Sequence, residues 1–310
     1  MPPVPASAML LAAGLGTRLR PLSFRRPKPL FPVLNRPMLR IWLERLHAAG
    51  VGLAVVNAFY LAPMLEAFLE EARPDFPGME IAVSRERSVL GTGGGIREAS
   101  AHFDGPLLVA NSDVYGDIPL DALAAAHASR PGALATLAVL DRPDKATVSV
   151  GEGGRILSFR ERDPVPGETE RLCGAGAMVL SPEAVRRLPP GPSDVIAELG
   201  AMLSEGGEAG ILRLAPDAFW CDMGTPSDYF ALNARLAGGG RFAEGARIDG
   251  ATSGFIVAEP GVMICEGATV RDSVLWSGAV VEPGCVLSGM IVAGRARSGA
   301  RLSGGVISGD

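Results

Sequence analysis

The residues best suited to chemistry lie near the start of the chain. A glycine-rich turn, Leu11-Ala12-Ala13-Gly14-Leu15-Gly16-Thr17, follows an apolar run and leads into Arg18, Arg20, Arg25, Arg26 and Lys28, five cations within eleven residues. Backbone N–H groups in such a turn can approach a phosphate closely, and the cations supply charge to hold it. The pattern predicts a polyanion seat. It is not the dinucleotide fingerprint, because Leu19 stands where a third glycine belongs and no acid follows at the distance that would hold a ribose. Nor is it a Walker loop, since no Gly-Lys-Ser/Thr closes it.

Lysine is rare here. Of 29 basic residues only Lys28 and Lys145 are lysine, and Lys28 stands between Pro27 and Pro29, which restrict the backbone and can aim a compact ammonium at a fixed target. Asp113 ends the strand-like run Leu107-Leu108-Val109-Ala110-Asn111-Ser112-Asp113, at the end where open α/β sheets bind ligands. Asp222, in Trp220-Cys221-Asp222-Met223-Gly224-Thr225, is a second acid between strand and helix. Two such carboxylates can hold Mg2+, with Mn2+ as the alternative, and leave most coordination positions to phosphate and water. The three histidines, His47, His102 and His127, have no partner nucleophile nearby, and Cys173, Cys221, Cys265 and Cys285 lack metal-ligand spacing. Histidine catalysis and a zinc site are therefore not expected.

The elements that must position these residues follow from the apolar pattern. Residues 7–13 read as a strand, 37–49 as a helix that opens on proline and closes on Gly50, and then strand and helix alternate: 52–57, 62–72, 80–84, 94–102 and 106–110. Continuous apolar strands between helices imply a mostly parallel, Rossmann-like sheet with helices on both faces. From 133 to 180 short strands dominate. Helices near 182–188 and 193–204, a strand at 209–214 and a helix at 226–237 complete residues 1–237, expected to form one α/β domain. Beyond the Gly238-Gly239-Gly240 linker, glycine, small residue, any residue, aliphatic recurs at Gly245, Gly261, Gly267, Gly278, Gly284 and Gly299. Intervals near six predict a small C-terminal left-handed parallel β-helix over 241–310, with one inward aliphatic per repeat.

Taken in order, the 14–21 turn, Pro27-Lys28-Pro29, Leu90-Gly91-Thr92-Gly93-Gly94-Gly95, Asn111-Ser112-Asp113 and the 220–225 segment resemble the sugar-1-phosphate nucleotidyltransferases, and the β-helix extends the resemblance over the whole chain. The resemblance implies that Leu11, Ala13, Gly14, Gly16, Thr17 and Arg18 hold the nucleotide together with Gly91, Thr92 and Gly94. It implies that Lys28 contacts phosphate, that Asp113 and Asp222 hold Mg2+, and that Asn111, Glu161, Arg162 and Gly176 bind the sugar phosphate. Arg18, Lys28, Asp113 and Asp222 would be the catalytic set. The chain departs from the family at Ser112, where glycine is frequent, and at Glu161-Arg162-Asp163-Pro164, where the family has Glu-Lys-Pro.

The implied reaction joins an NTP to a sugar 1-phosphate and releases pyrophosphate. GTP with mannose 1-phosphate is favoured by the 90–95 segment and the short tail. The glycine triplet at 93–95 also resembles muramate-1-phosphate uridylyltransferases, and thymidylyl transfer is a further alternative. A non-catalytic regulatory subunit is the reading from another class, against which the joint presence of Arg18, Lys28, Asp113 and Asp222 speaks. A net charge of -5 gives no general attraction for nucleic acid or an anionic membrane. The first thirteen residues lack the cationic region of a signal peptide, so a cytoplasmic enzyme is expected. All assigned residues precede Gly238, and the β-helix is expected to make the protein a homo-oligomer.

Overall fold

A computed structural model describes residues 4–161 and 163–309. By contacts the chain divides into two compact units, Met1–Gly14 with Ile41–Trp220, and Leu15–Arg40 with Cys221–Asp310.

The first unit is built on a sheet whose centre is β1 (Ser7–Leu11). Parallel to it lie β2 (Leu53–Ala58) on one side and β4 (Leu107–Asn111) on the other, and β3 (Glu80–Arg85) extends the sheet beyond β2. Val55, Val56, Leu108 and Val109 are fully buried, as continuous apolar runs in a covered parallel sheet require. The long β6 (Glu170–Leu180) runs antiparallel to β4 and to β5 (Ala135–Leu140), and β7 (Ala209–Arg213) pairs β5 in parallel. This is the mixed α/β class expected. Helices α1 (Met38–Ala48) and α2 (Ala62–Ala72) form where the sequence places them, and two others differ from expectation. α3 (Gly91–Glu98) begins three residues early, on glycines of poor helix propensity, because close packing rather than propensity sets its start. α4 (Leu120–Ala128) has no counterpart in the sequence reading, since its run of alanines carries little amphipathic contrast.

In the second unit the six motif glycines at 245, 261, 267, 278, 284 and 299 all adopt φ between 74° and 80°. That left-handed conformation turns the chain at each corner, and glycine adopts it without the Cβ penalty. Parallel strands stack between corners. Ala251, Thr269, Val286 and Arg301 are successive partners, so the turns shorten from 18 to 17 to 15 residues. Ile264, Val281 and Ala296 form one buried column, and Ala258, Leu275 and Val292 another. A helix, Pro226–Ala237, precedes this coil with a Thr225/Asp228 capping box and ends on left-handed Gly238.

The strand after Asp113, Val114–Gly116, is held from within the first unit. The wholly buried Trp42 donates from Nε1 to the Val114 carbonyl at 2.9 Å, while Arg45 donates to the carbonyls of Gly116 and Ile118. Trp42→Phe would leave the Val114 carbonyl buried without a donor and open a small void. We expect a loss of about 2–4 kcal/mol in thermal or urea unfolding; an unchanged midpoint would show that this clamp carries no stability.

Candidate active site

In the first unit the carboxyl ends of β1 and β4 open side by side, with Leu11 paired to Asn111. Ser112 is 1 % exposed, and its hydroxyl donates to the Leu11 carbonyl at 2.6 Å, so the residue that departs from the family pattern ties the two strand ends together. Ala13 is buried, whereas Gly14 is exposed with no heavy atom within 4 Å of where a Cβ would stand. Its backbone is open to a ligand. Gly176, at φ 81°, sits against Val114 and the Asn111 amide, and a Cβ there would meet them at 2.8 and 3.4 Å. The structure thus brings Leu11, Gly14, Asn111 and Gly176 to one end of the sheet, with Asp113 two residues beyond Asn111.

Sequence reasoning missed the two residues that join this end to the 91–95 loop. Asn57 Oδ1 accepts from the Ala12 N–H at 2.6 Å, Asn57 Nδ2 donates to Glu86 Oε1 at 2.7 Å, and Glu86 Oε2 accepts from the Leu90 N–H at 3.1 Å. The available signal was weak: one polar residue ending an apolar strand and one acid just after another. Both side chains are buried, and desolvation pushes the Glu86 carboxyl above its ordinary range against the lowering effect of the Asn57 and Leu90 hydrogen bonds.

The glycines of the loop are explained by contact. A Cβ on Gly95 would lie 2.7 Å from Glu86 Oε1, and one on Gly93 2.6 Å from Ser193 Oγ. Gly91 and Gly94 press on the carbonyls of Ser193 and Gly191. Thr92 Oγ1 accepts from the Val195 N–H at 2.9 Å at the start of a helix, Val195–Ser204. Gly91, Thr92 and Gly94 are therefore fastened to 191–195, while the turn as a whole is linked to β1 through Glu86. Glu161 is exposed, and its carbonyl accepts from Arg171 at 2.9 Å. No side-chain contact joins it to the other sugar-side residues among those described; Arg162 lies outside the described residues.

In the second unit Lys28 Nζ stands 3.7 Å from Asp222 Oδ1, with both side chains largely shielded. Pro27 and Pro29 are buried on either side, as their spacing predicts for an aimed lysine. Gly16, at φ 60°, leaves room only for Ser23 and Lys28, and an added methyl on Gly224 would lie 3.1 Å from Arg18 Nη1. Gly16, Arg18, Lys28 and Asp222 are thus brought together, with Thr17 exposed on the same turn. The five cations are not one seat. Arg20 stacks on Phe24, Arg25 donates to the Ser308 carbonyl, and Arg26 pairs with Glu259, so Arg18 and Lys28 alone of the five are directed to the Asp222–Gly224 segment.

Among the described residues no group of three or more His, Cys, Asp and Glu could hold a metal. Lone carboxylates such as Asp113 and Asp222 supply hard oxygen donors. Such oxygen donors, each taken by itself, are of the kind Mg2+ accepts beside water and phosphate, unlike the sulfur and nitrogen donors of structural zinc. No described helix is long and apolar enough to cross a membrane.

Comparison with known proteins adds three relatives. The family described as "Nucleotidyl transferase" matches residues 7–238. The chain is 34 % identical over 229 residues to the mannose-1-phosphate guanylyltransferase catalytic subunit beta of Danio rerio, covering 72 % of this chain and 62 % of that protein. It therefore spans less than two thirds of that relative's length. It is 35 % identical over 248 residues to N-acetylmuramate alpha-1-phosphate uridylyltransferase of Caulobacter vibrioides, 76 % of this chain and 99 % of that one. A mannose-1-phosphate guanylyltransferase of Mycobacterium tuberculosis is 31 % identical over 307 residues, 97 % of this chain and 79 % of the relative.

The buried Glu86 makes a pH prediction. Its pKa is raised on folding, so the native state binds this proton more tightly than the unfolded chain. The group then adds stability as pH falls through the raised pKa and withdraws it as pH rises. As pH is lowered from neutral into the acid range, the melting temperature of the parent should move upward relative to that of Glu86→Gln, which cannot titrate. Parallel pH dependences for the two proteins would contradict the assignment.

Proposed function

Because the chain belongs to the nucleotidyl transferase family, we propose that it transfers a nucleotidyl group from an NTP to a sugar 1-phosphate, releasing pyrophosphate. The observation that carries this reading is the Lys28–Asp222 pair beside Arg18: two neighbouring motifs near the start of the chain and a third, distant one around Asp222 form one cationic, carboxylate-bearing corner. In the reaction the sugar phosphate oxygen attacks the α-phosphorus in line as the bond to pyrophosphate breaks. No covalent enzyme intermediate is needed, and catalysis is positioning plus charge neutralisation.

Arg18 and Lys28 neutralise the triphosphate and the departing pyrophosphate. The backbone of Gly14, Gly16 and Thr17 lines the phosphates, and Leu11 and Ala13 with Gly91, Thr92 and Gly94 frame the nucleoside. Asn111, Glu161, Arg162 and Gly176 take the sugar phosphate. Asp113 and Asp222 are the carboxylates that would hold Mg2+ or Mn2+, which when bound offsets charge on the reacting phosphates.

GTP with mannose 1-phosphate is the substrate pair we favour, since proteins named mannose-1-phosphate guanylyltransferase match 72 % of the chain in one case and 97 % of it in another. Uridylyl transfer is the second reading, favoured by the 35 % identity to the muramate-1-phosphate enzyme. We assign transfer to residues 1–237, in the cytoplasm, and self-association to the coil at 241–310. Among the described residues its strand Arg301–Ile307 pairs with Val286–Val292 and exposes Leu302 at 43 %, an apolar side chain that a second copy would cover.

A matrix of GTP, UTP, ATP, CTP and dTTP against mannose, glucose, N-acetylglucosamine and muramate 1-phosphates tests the reaction. We expect GTP with mannose 1-phosphate to give the highest kcat/KM, and Asp113→Asn and Asp222→Asn each to lose several kcal/mol of transition-state stabilisation. Dominant turnover with UTP would transfer the base assignment to the second reading, and near-parent rates in both variants would sink the metal assignment. Light scattering should show an assembly larger than one chain; a monomer mass would remove the self-association role.

A further inference from the structure

The stretch carrying Lys28 is pinned at both ends to the coil. On one side Arg26 Nη1 donates to both Glu259 oxygens at 3.0 Å, and its guanidinium lies over the Trp276 ring, 4.8 Å from the centroid. Glu259 is 7 % exposed and also accepts from the Ser277 N–H at 2.9 Å, so its charge is held by hydrogen bonds from the loop and from the coil. On the other side Phe31 is fully buried, edge-on to Trp276 at 4.7 Å and to Tyr229 at 5.4 Å. The Tyr229 hydroxyl donates to the Pro32 carbonyl at 2.7 Å and accepts from Trp276 Nε1 at 3.0 Å. Burial raises the Tyr229 pKa and keeps that donor protonated. Asn35 adds a bond from Nδ2 to the Ala258 carbonyl at 2.9 Å.

Between Arg26 and Phe31 lie Pro27, Lys28, Pro29 and Leu30, with the last three in one tight helical turn. Two prolines leave the intervening backbone little freedom, so fixing its two ends fixes the direction in which the Cα–Cβ bond of Lys28 leaves the chain. Breaking a buried ion pair on one side leaves an uncompensated charge and releases that end.

We propose that the C-terminal coil is the template on which the phosphate-binding segment is set, with Glu259 and Trp276 as positioning residues that aim Lys28. This goes beyond an association role for the coil, and it rests on the nucleotidyl-transfer reading. The phosphate-binding residues precede Gly238 in sequence, but on this proposal their segment is held by residues that follow it.

The test uses the full chain with Glu259→Gln, which keeps an acceptor for Ser277 and loses the charge, and Arg26→Gln, which breaks the same pair from the loop side. Hydrogen exchange of residues 19–34 reads the anchor without reference to turnover. Steady-state kinetics read the positioning. Faster exchange in that segment, with the coil peptides unchanged, and a rise of about tenfold in the KM for the nucleotide while that for the sugar 1-phosphate stays near the parent value, is the expected result. Unchanged exchange overturns the anchor. Faster exchange with an unaltered nucleotide KM, or an equal rise for both substrates, overturns the positioning role. A parent protein without transfer on any substrate pair would instead overturn the activity reading, and this shows before any variant is measured.

Discussion

The Glu86 carboxylate is the constraint from which most of the first unit's ligand-facing end follows. One oxygen takes the Asn57 amide and the other the Leu90 N–H, while the far side of Asn57 takes the Ala12 N–H. A carboxylate this buried persists only if its lone pairs are used, so the turn after β1 and the turn before α3 cannot move independently. Gly95 must then lack a side chain, because a Cβ would occupy the space of Glu86 and Asn57. The glycines of 91–95 are needed first for close packing, and any contact they make with a nucleotide depends on that packing.

The second unit meets the same problem with opposite charge. Several cations on one short stretch would repel one another unless some were satisfied elsewhere. Arg26 is neutralised by Glu259 and covered by Trp276, and Arg25 reaches a carbonyl at the chain's far end. Lys28 faces Asp222 at 3.7 Å, so its charge is offset by a carboxylate of the same unit. Neutralising the outer cations through the coil lets the inner ones be aimed.

Much of this was legible in the sequence where short-range rules decide the outcome. The parallel strands around β1 follow from unbroken apolar runs, the coil corners from glycines at intervals near six, and the Lys28 setting from its two prolines. What was not legible depends on long-range contact. Nothing near Arg26 distinguishes it from Arg18, because its partner lies 233 positions away. Glu86 and Asn57 each look like an isolated polar residue until the fold brings them to 2.7 Å. α4 was missed because alanine-rich surface helices show little periodic contrast. The early start of α3 was missed because its glycines are selected by neighbours at 191–195 that local propensity does not register.

The proposed activity makes a diphosphate bond between a nucleotide and a sugar 1-phosphate. Phosphorus NMR of the full chain with Mg2+, GTP and mannose 1-phosphate tests it most directly, because the bonds made and broken are read without a coupled assay. Loss of the sugar monophosphate signal, two new mutually coupled diphosphate resonances, and pyrophosphate appearing in equal amount are expected. Release of orthophosphate with the sugar 1-phosphate untouched, or no change with any nucleotide and sugar phosphate pair, would contradict this activity.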